Sequence, residues 1–542
     1  MHVNLVNLFD KTIQEVEISI ENQIVSNIQI IGTENSDLPY ILPGFVDAHV
    51  HIESSMLTPS QFARLAVVHG TVATVSDPHE IGNVLGVPGV EYMIEDSKRV
   101  PFKFCFGAPS CVPATTFETA GAVITSDDVR GLLAKDEIGY LAEVMNFPGV
   151  LNEDPDMIAK ISWAKHFNKP ADGHAPGLRG ADAKKYVDSG LSTDHECFTY
   201  DEAKEKIAYG MKILIREGSA ARNFDALIPL LAEFPDRIMF CSDDKHPDNL
   251  VEGHINILVK RSLALGHDVW NVLRAACLNP VLHYNLPVGL LRVNDPADFI
   301  LVDNLSDLNI LQTWLNGKLV AEKNISLLPD LRSSHINQFN CTKKSVVNFQ
   351  CKAIEGASKV RVIEVLEGQL ITNAILEDVK IENGFIVADT ERDVLKICVV
   401  NRYQNSEPAI AFIRNFGLKN GAIASSVGHD SHNIIVVGCD DDSICEAVNS
   451  IIDAKGGVSA VGNGQMHLLE LPIAGLMSDE DGYEVAKSYT TIDTFVKNEL
   501  KSTLKSPYMS LSFMALLVIP SLKLSDKGLF NGDKFEFVSL SI

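Results

Sequence analysis

The chain has 542 residues, 46% hydrophobic and 22% charged, a balance that supplies a sizeable core and excludes global disorder. That length suggests about three domains, or one large barrel with additions. Lys and Arg number 46 against 71 Asp and Glu, a net charge of −25 that repels phosphate and argues against a nucleic-acid partner.

The N-terminus, MHVNLVNLFD, lacks the basic segment and apolar run of a signal peptide. Residues 1–40 read as short strands: Val16, Ile18 and Ile20 alternate with polar neighbours, and Ile24, Ile28 and Ile30 follow. Short β-type runs then recur at Gly44–Val50, Thr71–Ser76, Phe102–Gly107, Gly139–Val144, Pro170–His174, Gly190–His195, Lys212–Arg216 and Arg237–Ser242. Between them lie segments of helical spacing: Pro59–His69, Asp127–Lys135, Asp154–Phe167, Asp201–Tyr209, Ser219–Phe234 and His254–Leu265. Strand alternating with helix eight times predicts an α/β fold with a (β/α)8 TIM-like barrel over 41–284, although an open doubly wound sheet shares the rhythm.

β-type residues return at Asp298–Asp303 and Thr313–Val320, so residues 1–40 plus 285–340 are expected to pair into a small β domain. The polar stretch Asn324–Lys344 reads as a linker. A C-terminal α/β or α+β domain is expected over 345–542, with strand-like runs at Val360–Leu366, Val394–Val400, Ala422–Ser426 and Asn433–Gly438. Its glycine cluster, Gly456–Gly464, fits neither Gly-Lys-Ser/Thr nor GxGxxG and reads as a flexible loop. The longest apolar run, Met509–Ile519, stops at Pro520, short of the ~20 residues a spanning helix needs. The ten cysteines are scattered without a CxxC, which argues against a disulfide framework or a thiolate zinc module and for a reducing cytoplasm.

The sharpest chemical signal is PGFVDAHVHIESS, Pro43–Ser55. His49 and His51 are two apart at a strand end, so both imidazoles leave one face and can reach one ion. Other predicted strands end in Glu143, His174, His195 and Asp243, at the edge where barrel enzymes keep their active sites. Imidazole plus carboxylate without thiolate suits Zn2+, Fe2+ or Mn2+. Six ligands exceed the need of one tetrahedral ion and suit two divalent ions bridged by Glu143, which would hold a hydroxide at neutral pH. Asp243 would be ligand and proton shuttle together.

PGFVDAHVH with later strand-end His, His and Asp resembles the amidohydrolase superfamily. A longer set of strings is similar to the bacterial adenine deaminase family over nearly the whole chain: HVHIESSM, DPHEIGNV, NFPGVLN, DGHAPGLRG, STDHECFT, REGSAARN, CSDDKHPDNL, GAIASSVGHDSHNIIVVG and ELPIAGLMS. The resemblance implies hydrolysis of adenine to hypoxanthine and ammonia, in purine salvage or catabolism, by a metal-bridged hydroxide. It implies a binuclear site working with Mn2+ or Fe2+, Zn2+ being the less expected ion. The family's ligands fall on His49, His51, Glu143, His174, His195 and Asp243, with Glu143 as bridge. A different aminopurine or a cyclic amide is the alternative substrate for the same barrel.

Charge building on N1 of the purine calls for a second acid. Glu217, Glu80, Asp244 and His246 are the candidates, and Glu217 could equally start the following helix. His79 and Glu80, after the second strand, are candidates for substrate contact or a further metal, or form a turn with a solvated histidine. Arg179 reads as a helix-start surface residue or as a group that places substrate, Asn83 and Asn152 as loop hydrogen-bonders, and His429, Asp430 and His432 as a structured turn or an extra ligand group reaching over the barrel. No PCxxC is present, which sets aside the cytidine-deaminase type of zinc site. The expected partners are the small-molecule substrate, water and a second copy of the chain in a homodimer, with no membrane.

Overall fold

A closed ring of parallel strands lies at the centre of the protein, seen in a computed structural model that describes residues 1–353 and 358–541. The ring comprises β1 (Phe45–Val50), β2 (Thr71–Ser76), β3 (Lys103–Ala108), β4 (Ile138–Val144), β5 (Ala171–Gly173), β6 (Thr193–Asp194), β7 (Lys212–Arg216) and β8 (Ile238–Cys241), each paired in parallel with the next. The last strand returns to the first: Asp243 N donates to His49 O at 2.9 Å and His51 N to Asp243 O at 3.3 Å. This closure makes the alternation a barrel rather than an open sheet. Every residue of β1, β2 and β8 is buried, as expected of strands covered on both sides.

The helices between the strands keep to the sequence rhythm, with one exception. In place of a single helix over Ser219–Phe234 there are two short ones, Phe224–Leu227 and Leu230–Glu233. Residues 217–222 are used in a bridge between Glu217 and Arg222, and Pro229 separates the two helices.

The flanking β segments form one eight-stranded sheet. In it Tyr40–Pro43 pairs in parallel with His2–Asn7 and antiparallel with Phe299–Val302. Tyr40–Pro43 leads directly into β1, so the small sheet anchors the strand that carries the two histidines. The polar stretch after Ile325–Ser326 has no regular structure through 344, yet it is pinned: Ser333 N donates to Asp479 Oδ2 at 2.7 Å and Asn340 N to Arg402 O at 2.7 Å.

A second eight-stranded sheet, with the helices Asp441–Ala454 and Gly482–Asn498, builds the third domain. The glycine cluster corrects the flexible-loop reading. Gly457–Gly462 is a fully buried strand between Ala422–Ser425 and Gln465–Glu470. Glycine is needed at its start by packing: a Cβ on Gly457 would lie 2.5 Å from Leu469 O. The apolar run predicted at Met509–Ile519 forms a helix, Pro507–Ser512, and a turn that face the barrel mouth. Among the described residues no helix is long and apolar enough to cross a membrane.

Candidate active site

The C-terminal ends of the barrel strands open into a cavity lined by His51, His79, Glu143, His174, His195 and Asp243. His49 and His51 leave one face of β1, and their Nε2 atoms are 3.2 Å apart. Glu143 is the penultimate residue of β4, His174 follows β5 and His195 follows β6. Asp243 lies two residues beyond β8 at φ 56°, a left-handed conformation that aspartate tolerates better than most residues. All six are buried, and the His49 and His195 rings stack with centroids 4.0 Å apart.

Glu143 divides its two oxygens. Oε1 lies 3.4 Å from His51 Nε2, whereas Oε2 lies 3.1 Å from His195 Nε2 and 2.6 Å from His174 Nδ1. Asp243 Oδ1 is 3.6 Å from His49 Nε2 and 3.4 Å from His51 Nε2. Two ligand atoms about 2.1 Å from one ion, at about 90–110° to each other, stand about 3.0–3.4 Å apart, and the separations here, apart from the 2.6 Å hydrogen bond through His174 Nδ1, lie near that range. His174 Nε2 is buried without a hydrogen-bond partner among the described residues. The donor set, its spacing and this orphaned nitrogen fit divalent cations.

Charge is arranged to match. Burial opposes ionisation of Glu143, but His174 and His195 hold its carboxyl well below the usual carboxylate range. Burial opposes ionised Asp243 too, and the Arg216 guanidinium outweighs it. Burial pushes His49 well below the ordinary imidazole range, towards the neutral form that ligates metals, whereas at His51, His174 and His195 the neighbouring carboxylates outweigh burial and raise the imidazole.

Neighbouring groups fix these side chains. Arg216 Nη1 donates to Asp243 Oδ2 at 2.6 Å, and both of its terminal nitrogens bond Glu196. Asp47, beneath His49, accepts from Ser242 N at 2.9 Å and pairs with His254 Nε2 at 2.7 Å. The Tyr186 hydroxyl donates to Val144 O at 2.6 Å and accepts from His174 N at 3.0 Å. The buried Lys206 ammonium bonds Asp194 and the Ala175 carbonyl, so it ties the residue before His195 to the one after His174.

The remaining candidates separate. His79 lines the cavity, its Nδ1 3.5 Å from Glu143 Oε1. Burial opposes its charge, but Asp77 lifts it to about 10. Asp244 also lines the cavity; burial and Asp243 oppose its ionisation, and His429 outweighs both, holding it at about 2. Glu80 sits beside it: Ser54 Oγ is 2.9 Å from Glu80 Oε1 and 2.6 Å from Asp244 Oδ1. Glu217 is not brought into this group. Its carboxylate pairs with Arg261 at 2.8 Å and faces Arg222 at 3.6 Å. His246 lies edge-on to Tyr489, centroids 4.8 Å apart, and burial pushes it down to about 3. Arg179 is an exposed partner of Glu205, Asn83 Nδ2 bonds the His79 carbonyl at 3.0 Å, and Asn152 Nδ2 bonds the Pro148 carbonyl at 2.9 Å.

Several cavity residues escaped the sequence reading. Glu196 and Arg216 sit at the same strand-end level as the ligand candidates, so the rule that found His195 could have found them. Of the two readings for His429 and Asp430, the group reaching over the barrel is the one the structure places: both extend from the third domain into the cavity, where His429 Nε2 is 2.7 Å from Glu80 Oε1. Leu370, Phe513, Leu516 and Val518 form an apolar wall facing the polar floor, and Phe513 stacks on His429 at 4.6 Å.

A closed barrel with imidazoles and acids at its C-terminal rim defines a metal-dependent hydrolase of the amidohydrolase class. The profile of the amidohydrolase family matches residues 40–320, and that of the adenine deaminase C-terminal domain matches 369–536. The adenine deaminase of Sulfurovum sp. (strain NBC37-1) is 54% identical, over 99% of this chain and 99% of its own. That of Methanosarcina mazei is 54% identical over 97% and 96%, and that of Borreliella burgdorferi 49% over 99% and 99%. The chain belongs to the adenine deaminase family.

Proposed function

We propose that this protein hydrolyses adenine to hypoxanthine and ammonia at the open end of the barrel, a step of purine salvage. One observation carries the reading: four imidazoles and two ionised carboxylates converge opposite an apolar wall of Leu370, Phe513, Leu516 and Val518. His49, His51, Glu143, His174, His195 and Asp243 would hold two divalent cations, Mn2+ or Fe2+, with Glu143 between them. Such a pair, when bound, lowers the pKa of water towards neutrality and so supplies the nucleophile that C6 of the purine requires.

The chain's own groups do the rest. Asp243 Oδ1 takes a proton from the attacking water and returns it to the departing amine, while Arg216 holds its Oδ2 in place at 2.6 Å. His79 and Asp244, both lining the cavity, are placed to contact the purine, with Glu80 and Ser54 bracing Asp244. Leu370, Phe513, Leu516 and Val518 keep bulk water from the ring. The ten cysteines are free thiols, which supports a reducing cytoplasmic setting; a homodimer completes the proposal.

Ammonia release from adenine, guanine, cytosine, adenosine and a cyclic ureide, with Mn2+ or Fe2+ supplied, tests the reading. Turnover of adenine well above the others is expected. Equal or better turnover of any other compound refutes it.

A further inference from the structure

Asp430 enters the cavity from the third domain. It is 2% exposed, its Oδ1 is 3.9 Å from His79 Nε2, too far for a hydrogen bond, and its buried Oδ2 has no hydrogen-bond partner among the described residues. A buried carboxylate oxygen without a donor is costly, and inside a cavity a ligand's N–H is one group that can satisfy it.

The loop that carries Asp430 is held firmly. The Tyr403 hydroxyl donates to the Ser431 carbonyl at 2.6 Å, Arg402 Nη1 donates to the His432 carbonyl at 3.3 Å, and Arg402 N donates to Asn433 Oδ1 at 3.0 Å. His429 is clamped between Glu80 Oε1 and Ser512 Oγ, at 2.7 Å from each. Asp430 is therefore fixed facing the cavity, and the neighbouring walls of Leu370, Phe513, Leu516 and Val518 offer its carboxylate no side-chain donor.

Adenine carries the missing donor. C6 belongs to the six-membered ring, and the fused imidazole bears an N–H. His79 borders both groups, its Nδ1 3.5 Å from Glu143 Oε1 and its Nε2 3.9 Å from Asp430 Oδ1. Asp430 and the group where C6 would react therefore line one cavity and share the His79 ring as a neighbour. We propose that Asp430 accepts a hydrogen bond from the imidazole N–H of the purine and thereby selects the free base over N9-substituted purines such as nucleosides. The inference rests on the adenine reading above and adds the residue that recognises the far ring.

Full-length, metal-loaded wild type, Asp430→Ala and Asp430→Asn test it. Each is assayed for kcat and KM with adenine and for inhibition by 9-methyladenine, which has no imidazole N–H; metal content and melting temperature report folding. Loss of a hydrogen bond to a charged acceptor predicts that Asp430→Ala lowers kcat/KM for adenine about 100-fold, chiefly through KM. Affinity for 9-methyladenine should change less than about threefold, since that ligand never made the bond. Asp430→Asn keeps an acceptor without the charge and should lose about 10-fold. An adenine KM within threefold of wild type in Asp430→Ala, or equal losses for adenine and 9-methyladenine, overturns the inference alone. A wild-type protein inert towards adenine overturns it together with the substrate reading.

Discussion

Replacing Tyr186 with phenylalanine removes one oxygen from a fully buried ring and changes little else. That oxygen joins the Val144 carbonyl, next to Glu143, to the His174 amide. In the variant two buried backbone groups lose their partner, at about 1–3 kcal/mol each. The backbone can recover part of this only by turning the His174 peptide, which moves the imidazole away from Glu143 Oε2, now 2.6 Å away. If about 1.4–2.8 kcal/mol of the cost reaches the site, kcat/KM for adenine falls about 10–100-fold, at 1.36 kcal/mol per tenfold. More Mn2+ or Fe2+ should then be needed to reach full activity. Tyr140→Phe is the control, because the Tyr140 hydroxyl is buried without a partner among the described residues and its removal should leave activity intact. Steady-state kinetics across a metal titration decide the matter. A Tyr186→Phe protein with wild-type kcat/KM and wild-type metal demand, or one that behaves like Tyr140→Phe, refutes the reasoning.

Arg216→Met leaves Glu196 and Asp243 buried without their cation, a change worth about 3–5 kcal/mol; kcat/KM should fall at least 100-fold with a lower melting temperature, and Arg216→Lys should recover part of both. Asp243→Asn should abolish turnover while part of the metal stays bound, as measured by elemental analysis; unchanged turnover removes Asp243 from the mechanism. Burial, then Asp430, pushes Glu118 up to about 8, against about 4.3 for an unfolded glutamate. The folded chain therefore binds more protons than the unfolded one across this window, so this residue's effect is to lower stability as pH rises from about 4 to 8. Glu118→Gln should raise the melting temperature more at pH 8 than at pH 5.5, and an equal shift at both contradicts the assignment.

The barrel was legible because its signals are local. Each strand is a short apolar run, each inter-strand segment has helical spacing, and the six strand-end ligand candidates lie within a residue or two of the runs that present them. His429 and Asp430 were legible only as one of two readings, a structured turn or a group reaching over the barrel. His429 meets Glu80 across 349 residues, and a Gly-His-Asp-Ser-His string between two strands looks the same whether it meets solvent or a cavity. Gly457–Gly462 misled for the opposite reason: small residues that let strands pack closely resemble a loop when the neighbours are unknown. Glu217 comes directly after β7 just as His195 comes directly after β6, yet Arg261 on a neighbouring helix takes its carboxylate. Position at a strand end shows that a residue is near the rim and leaves open which way its side chain is drawn.

Anomalous diffraction from crystals of the manganese-loaded protein is the most direct test of the central claim. Two ions about 3.5–4 Å apart are predicted, one held by His49, His51 and Asp243, the other by His174 and His195, with an oxygen of Glu143 on each. A single ion, or two ions neither of which touches Glu143, would contradict the account.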